Sequence, residues 1–106
     1  MTMKEAVASI RATVKDLNGE FPDLKLSLGY VGNCSMGGVP YDDRYWSVDA
    51  KALDKFNYSV SYGLGNATKT DSDKWTRWAE NFADCGPSWA AEAARQIDNG
   101  TYRIRR

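Results

Sequence analysis

Two thiols, Cys34 and Cys85, are the most reactive nucleophiles in a chain that has no histidine at all. That absence removes Ser-His-Asp and Cys-His catalysis and every His-ligated metal site. A catalytic cysteine needs a base or a cation beside it to lower its pKa, and spacing assigns neither thiol such a partner. Two thiols also fall short of the four ligands that structural zinc takes. One small buried residue and one loop thiol is the plain reading. Ser35 beside Gly37-Gly38 has the look of a serine-protease nucleophile segment but lacks the base to activate it. Gly32 to Pro40 is glycine-rich, yet it lacks the Lys-Ser/Thr ending of a phosphate-binding loop and leads into a strand pattern. The acids Asp42, Asp43, Asp49, Asp54, Asp71 and Asp73 are scattered, without EF-hand spacing, and 106 residues leave little room for a deep two-carboxylate cleft. The expectation is a non-enzyme with no cofactor and no metal.

What remains are residue types suited to contact. The segment Tyr41-Asp42-Asp43-Arg44-Tyr45 sets two tyrosines and an arginine beside the Gly-rich loop that carries Met36. Tyr and Arg are over-represented in binding hot spots, so these six residues form the candidate partner-binding site. Arg103, Arg105 and Arg106, with Tyr102, make a second candidate, a basic tail suited to phosphates or an acidic partner.

The elements that must position these residues follow from periodicity. Thr2-Met3-Lys4-Glu5 has the form of a capping box, and Met3, Val7, Ile10, Val14 and Leu17 recur as one helical stripe that Asn18-Gly19 ends. The period then becomes two. Leu24, Leu26, Leu28 and Tyr30 alternate with polar residues; Trp46, Val48 and Ala50 do so next; Phe56, Tyr58, Val60, Tyr62 and Leu64 form the third run. A tight link near Asp54-Lys55 joins the last two. Trp75, Trp78, Ala79, Phe82 and Cys85 then predict a helix stopped by Gly86-Pro87, and Trp89, Ala93, Ala94 and Ile97 a third helix closed by Asn99-Gly100. The tail from Thr101 alternates again and can add a short edge strand. The whole is one α+β domain over residues 1–106, in the order α-β-β-β-α-α. It has a three-stranded antiparallel meander and all helices on one face. The opposite face should carry Lys25, Ser27, Tyr45, Ser47, Asp49, Asn57, Ser59 and Ser61.

Composition fits that picture. The chain is 42% hydrophobic and 26% charged, as a folded globule is. Fourteen Lys+Arg face fourteen Asp+Glu, and the balance holds in each half of the chain. Such neutrality disfavours nucleic-acid binding driven by bulk charge. With no apolar run long enough for a signal peptide or membrane span, a cytoplasmic setting is expected.

By elimination, a protein-binding module is the leading expectation. In size, compactness and α/β order from Met1 to Arg106, the chain resembles the small inhibitors carried by phages and mobile elements, of which anti-CRISPR proteins are the best-known group. The resemblance implies stoichiometric binding to a bacterial nuclease or surveillance complex of the CRISPR-Cas type. A small nucleic-acid-binding or phage accessory protein using the C-terminal arginines is the alternative.

Overall fold

The computed structural model describes residues 1–31, 35–36, 39–40 and 45–105, with residues 31, 35, 36, 39, 40 and 45 described by their backbone. Helix α1 (Met3–Glu20) begins at the expected capping box. The Glu5 amide donates to Thr2 Oγ1 at 3.2 Å, and the Thr2 amide donates back to Glu5 Oε1 at 3.1 Å. Ala6, Ile10, Val14 and Leu17 are its buried stripe. The helix outruns the expected Asn18-Gly19 stop because Asn18 works elsewhere. Its side chain clamps Leu26 by accepting from the amide at 2.7 Å and donating to the carbonyl at 3.0 Å, which fixes the route into the sheet.

A 3₁₀ turn at Pro22–Leu24 and a left-handed Lys25 (φ 46°) lead into β1 (Ser27–Val31). Two short strands, β2 (Ser35–Met36) and β3 (Val39–Pro40), pair with each other as a separate antiparallel ladder within the Gly-rich stretch. The long β4 (Tyr45–Leu53) is central: β1 and β5 (Ser59–Gly65) pair with it on opposite sides, antiparallel, as the meander requires. Ser27, Asp49 and Ser61 stand in one row across the three strands, and Gly29, Ser47 and Gly63 in the next. The tail does form an edge strand. β6 (Arg103–Ile104) pairs with Ala52 and Leu53, the end of β4 that β1 leaves open.

The expected pair of C-terminal helices is a single helix, α2 (Ser72–Asp98), running through Pro87. Its buried residues Trp75, Ala79, Phe82, Gly86, Ala90 and Ala93 keep steps of three and four straight across the supposed break. Gly86 is a packing residue, not a stop. A Cβ there would come within 3.0–3.3 Å of the Phe82 ring. Pro87 faces solvent, as does Ala83, whose carbonyl loses its helical donor, so water can take that bond. Cys85, expected on the apolar side, is exposed.

Both helices lie on the inner face of the sheet, over Leu26, Val48, Ala50 and Ala52. Aromatic rings knit the two layers together. Tyr30 and Trp46 lie 4.8 Å apart, Trp46 and Trp75 5.1 Å, and Trp75 and Trp78 5.0 Å. A second group has Tyr62 5.2 Å from Phe82 and 5.7 Å from Trp89. Burial pushes the Tyr62 phenol above its ordinary pKa, and the neighbouring Cys85 thiol adds to that shift.

Candidate functional site

The sheet face turned away from the helices gathers the polar side chains that strand alternation assigns to it. At its centre the Asp49 carboxylate accepts from Ser61 Oγ at 2.6 Å and from Ser47 Oγ at 3.1 Å. Gly29 lies beneath, where a Cβ would sit 3.5 Å from Asp49 Oδ2. Ser47 is only 2% exposed, yet its hydroxyl is satisfied by Asp49 and so carries no desolvation penalty for an unpaired group. Ser27, Ser59 and Ser61 are exposed.

Cations rim this centre. β6 runs antiparallel to the end of β4, so the Arg105 amide donates to the Lys51 carbonyl at 2.8 Å and Arg103 stands opposite Leu53. Alternation then sends Lys51, Arg103 and Arg105 to the outer face together. The Arg105 guanidinium crosses β4 and donates to Ser59 Oγ. Lys25, Ser27, Asp49, Lys51 and Arg105 line one shallow depression; Leu53, Arg103, Ile104 and Arg105 line its neighbour. Among the described residues the one ion pair lies elsewhere, between Arg95 and Glu92 on α2 at 2.6 Å.

The hairpin between β4 and β5 completes the rim. Asp54 Oδ1 accepts from the amides of Phe56 and Tyr58 at 2.8 and 2.9 Å, and Asn57 takes a left-handed φ of 67°. The turn is therefore longer than a two-residue link, and the strand begins at Ser59. Phe56 and Tyr58, which alternation assigned to the inner face, are 65% and 70% exposed. Asp-x-x-Asn is itself a turn signature, because Asp caps backbone amides and Asn tolerates positive φ. That signal overrides the apparent continuation of period two. Lys55 Nζ lies 5.0 Å from the centre of the Phe56 ring, in cation–π range.

Of the candidate residues, Arg103 and Arg105 are brought into this surface. Met36 lies in β2, paired with Val39, and Tyr45 opens β4 opposite Val31. Tyr41, Asp42, Asp43, Arg44 and Arg106 lie outside the described residues. Strand parity places Lys25 on the outer face; Lys51 joins it because β4 runs three residues past Ala50, where the expected alternating run ends. No helix among the described residues is long and apolar enough to cross a membrane.

Chemically, the arrangement offers ammonium, guanidinium and hydroxyl donors, with two exposed aromatic rings on the adjoining hairpin. Such a surface can hold an anionic and partly apolar partner. No family model matches the chain, and neither does any curated protein or any solved structure.

Proposed function

We propose that this protein is a non-enzymatic, protein-binding module that acts by stoichiometric contact through the outer face of its sheet. One observation carries this reading: Phe56 and Tyr58 stand exposed on the hairpin whose two ends, Leu53 and Ser59, meet Arg103 and Arg105. Aromatic and arginine side chains are the types that dominate binding hot spots. Both rings have two rotatable bonds, and the Asp54 turn fixes their backbone, so they lose little freedom on binding. The segment Tyr41 to Tyr45, with Met36, has the same composition and is proposed as a second part of the contact.

The resemblance to inhibitors of phages and mobile elements supplies a partner class to test first, a bacterial nuclease or CRISPR-Cas surveillance complex. Binding would occlude the complex rather than modify it, which accords with a chain that lacks histidine. A direct nucleic-acid contact is the second reading. It is favoured by the grouping of Lys25, Lys51, Arg103 and Arg105 on one face.

Affinity capture from bacterial lysate, with Phe56→Ala/Tyr58→Ala and Arg103→Glu/Arg105→Glu variants beside the wild type, tests both readings. The first predicts a stoichiometric protein partner lost in both variants, with melting temperatures within a few degrees of wild type. Failure of the wild type to retain any protein, together with steeply salt-dependent binding of a single-stranded oligonucleotide, would replace it with the second.

A further inference from the structure

Strand β5 is an edge. Among the described residues, Ser59–Gly65 pairs with β4 alone, so alternate backbone amides and carbonyls on its other side have no ladder partner. Proteins usually shield such an edge with lysine, proline or a covering element. This one reads Ser-Val-Ser-Tyr-Gly-Leu-Gly, with neither a charge nor a proline. Its inward side chains Val60, Tyr62 and Leu64 are only half-buried, as are Trp78 and Trp89 on the adjoining α2. Trp78 lies against Gly65, and Trp89 is 5.7 Å from Tyr62. A half-covered apolar seam therefore runs beside the open edge. Cys85 lies exposed on this seam, between the turns of α2 that carry Phe82 and Trp89 to Tyr62.

We infer that β5 pairs antiparallel with β5 of a second copy of this chain, about a twofold axis at Tyr62. An isologous contact brings each patch against itself, so any charge at the axis would meet its like. Here the strand is neutral, and so is the α2 surface one turn either side of Cys85, at Asn81 and Ser88. Tyr62 is the middle residue of β5, so centring there engages the whole strand. Each Ser61 then faces a Gly63 of the other copy, and the small pair leaves the two outer faces continuous. The seam of Val60, Leu64, Trp78 and Trp89 closes against its counterpart, which supplies apolar burial that strand pairing alone would lack. Dimerisation would also set two copies of the basic, hydroxyl-bearing face side by side. Pairing along β5 is independent of what that face binds.

Light scattering after size exclusion, across a concentration series, measures the assembly. Short bis-maleimide crosslinking in a Cys34→Ser background locates it. The expected result is a concentration-dependent dimer that crosslinks through Cys85. The double variant Ser61→Lys/Gly63→Lys would set two lysine pairs directly opposite one another and weaken the dimer at least about tenfold. Gly63 accepts a side chain, since a Cβ there meets nothing within 4 Å. If that variant fails to fold, hydrogen exchange on the wild type decides: β5 amides gain protection as concentration rises. A chain that stays monomeric up to about 1 mM overturns the inference. So does a dimer that neither crosslinks at Cys85 nor protects the β5 amides, because its interface lies elsewhere. Capture of a foreign strand along β5 by a monomeric chain overturns it as well.

Discussion

Gly86 shows how one residue can carry a meaning opposite to its local signal. Glycine followed by proline ordinarily ends a helix, and hydrogen at the α-carbon costs helix stability relative to alanine. Here the missing Cβ makes room for the fully buried Phe82 ring, which a side chain would approach to 3.0 Å. Two effects of Gly86→Ala therefore compete. Helix propensity gains up to about 1 kcal/mol. Crowding a filled core costs about 1–3 kcal/mol. The expected outcome is a net loss of about 1 kcal/mol in urea denaturation, turning into a gain when Phe82→Leu removes the ring. Asn18 and Cys85 teach the same lesson. Their types suggested a helix stop and a buried thiol, but Asn18 is taken up by Leu26 and Cys85 falls on the exposed side of α2.

Among the elements, α1, the three main strands and the tail strand were legible because period and capping agreed at each. The unbroken α2 is legible too, in an apolar stripe that outweighs the Gly-Pro punctuation. Phe82, Gly86 and Ala90 continue one stripe, and a proline on the solvent side bends a helix without ending it. The exposed aromatics at Phe56 and Tyr58 were hidden by a strand pattern that ran into the turn. The site around Arg105 was hidden more deeply, since only strand order brings residue 105 across residue 51 to residue 59. Pro87 deprives the helix of one hydrogen bond on its solvent side, so Pro87→Ala should restore that bond and raise stability by about 1–2 kcal/mol. That is less than the ~3 kcal/mol of a buried helix interior. Circular dichroism should show equal or higher helix content; a loss of stability would mean that the backbone geometry proline imposes is needed for packing.

At the scale of the molecule, neutrality is a sum of unlike parts. Helix α1 is balanced and α2 carries five carboxylates against three cations, whereas Lys25, Lys51, Lys55, Arg103 and Arg105 on the sheet side face only Asp49 and Asp54. Acid acts mainly on the helical side. Thr2 amide and hydroxyl donors hold Glu5 below its ordinary 4.5, the Thr68 amide and hydroxyl hold Asp71 below 3.8, and Arg95 and then Gln96 hold Glu92 down to about 2. A carboxylate whose pKa is lower folded than unfolded adds stability above its unfolded pKa and loses it as pH falls through the folded one. Melting temperature should therefore be nearly level from neutrality down to about pH 5, then fall between about pH 4.5 and 2. The three groups are exposed, so each share is small, and added salt should blunt the trend. A flat profile down to pH 2 would show that these contacts do not form in solution.

The ring sequence Tyr30, Trp46, Trp75 and Trp78 passes from sheet to helix in steps of about 5 Å. Chromophores held so close in a fixed, tilted array share their electronic transitions. The near-ultraviolet dichroism of this protein is thus a direct optical gauge of whether α2 is seated on the sheet. It would vanish in any state that keeps its helices and strands but lets the two layers part.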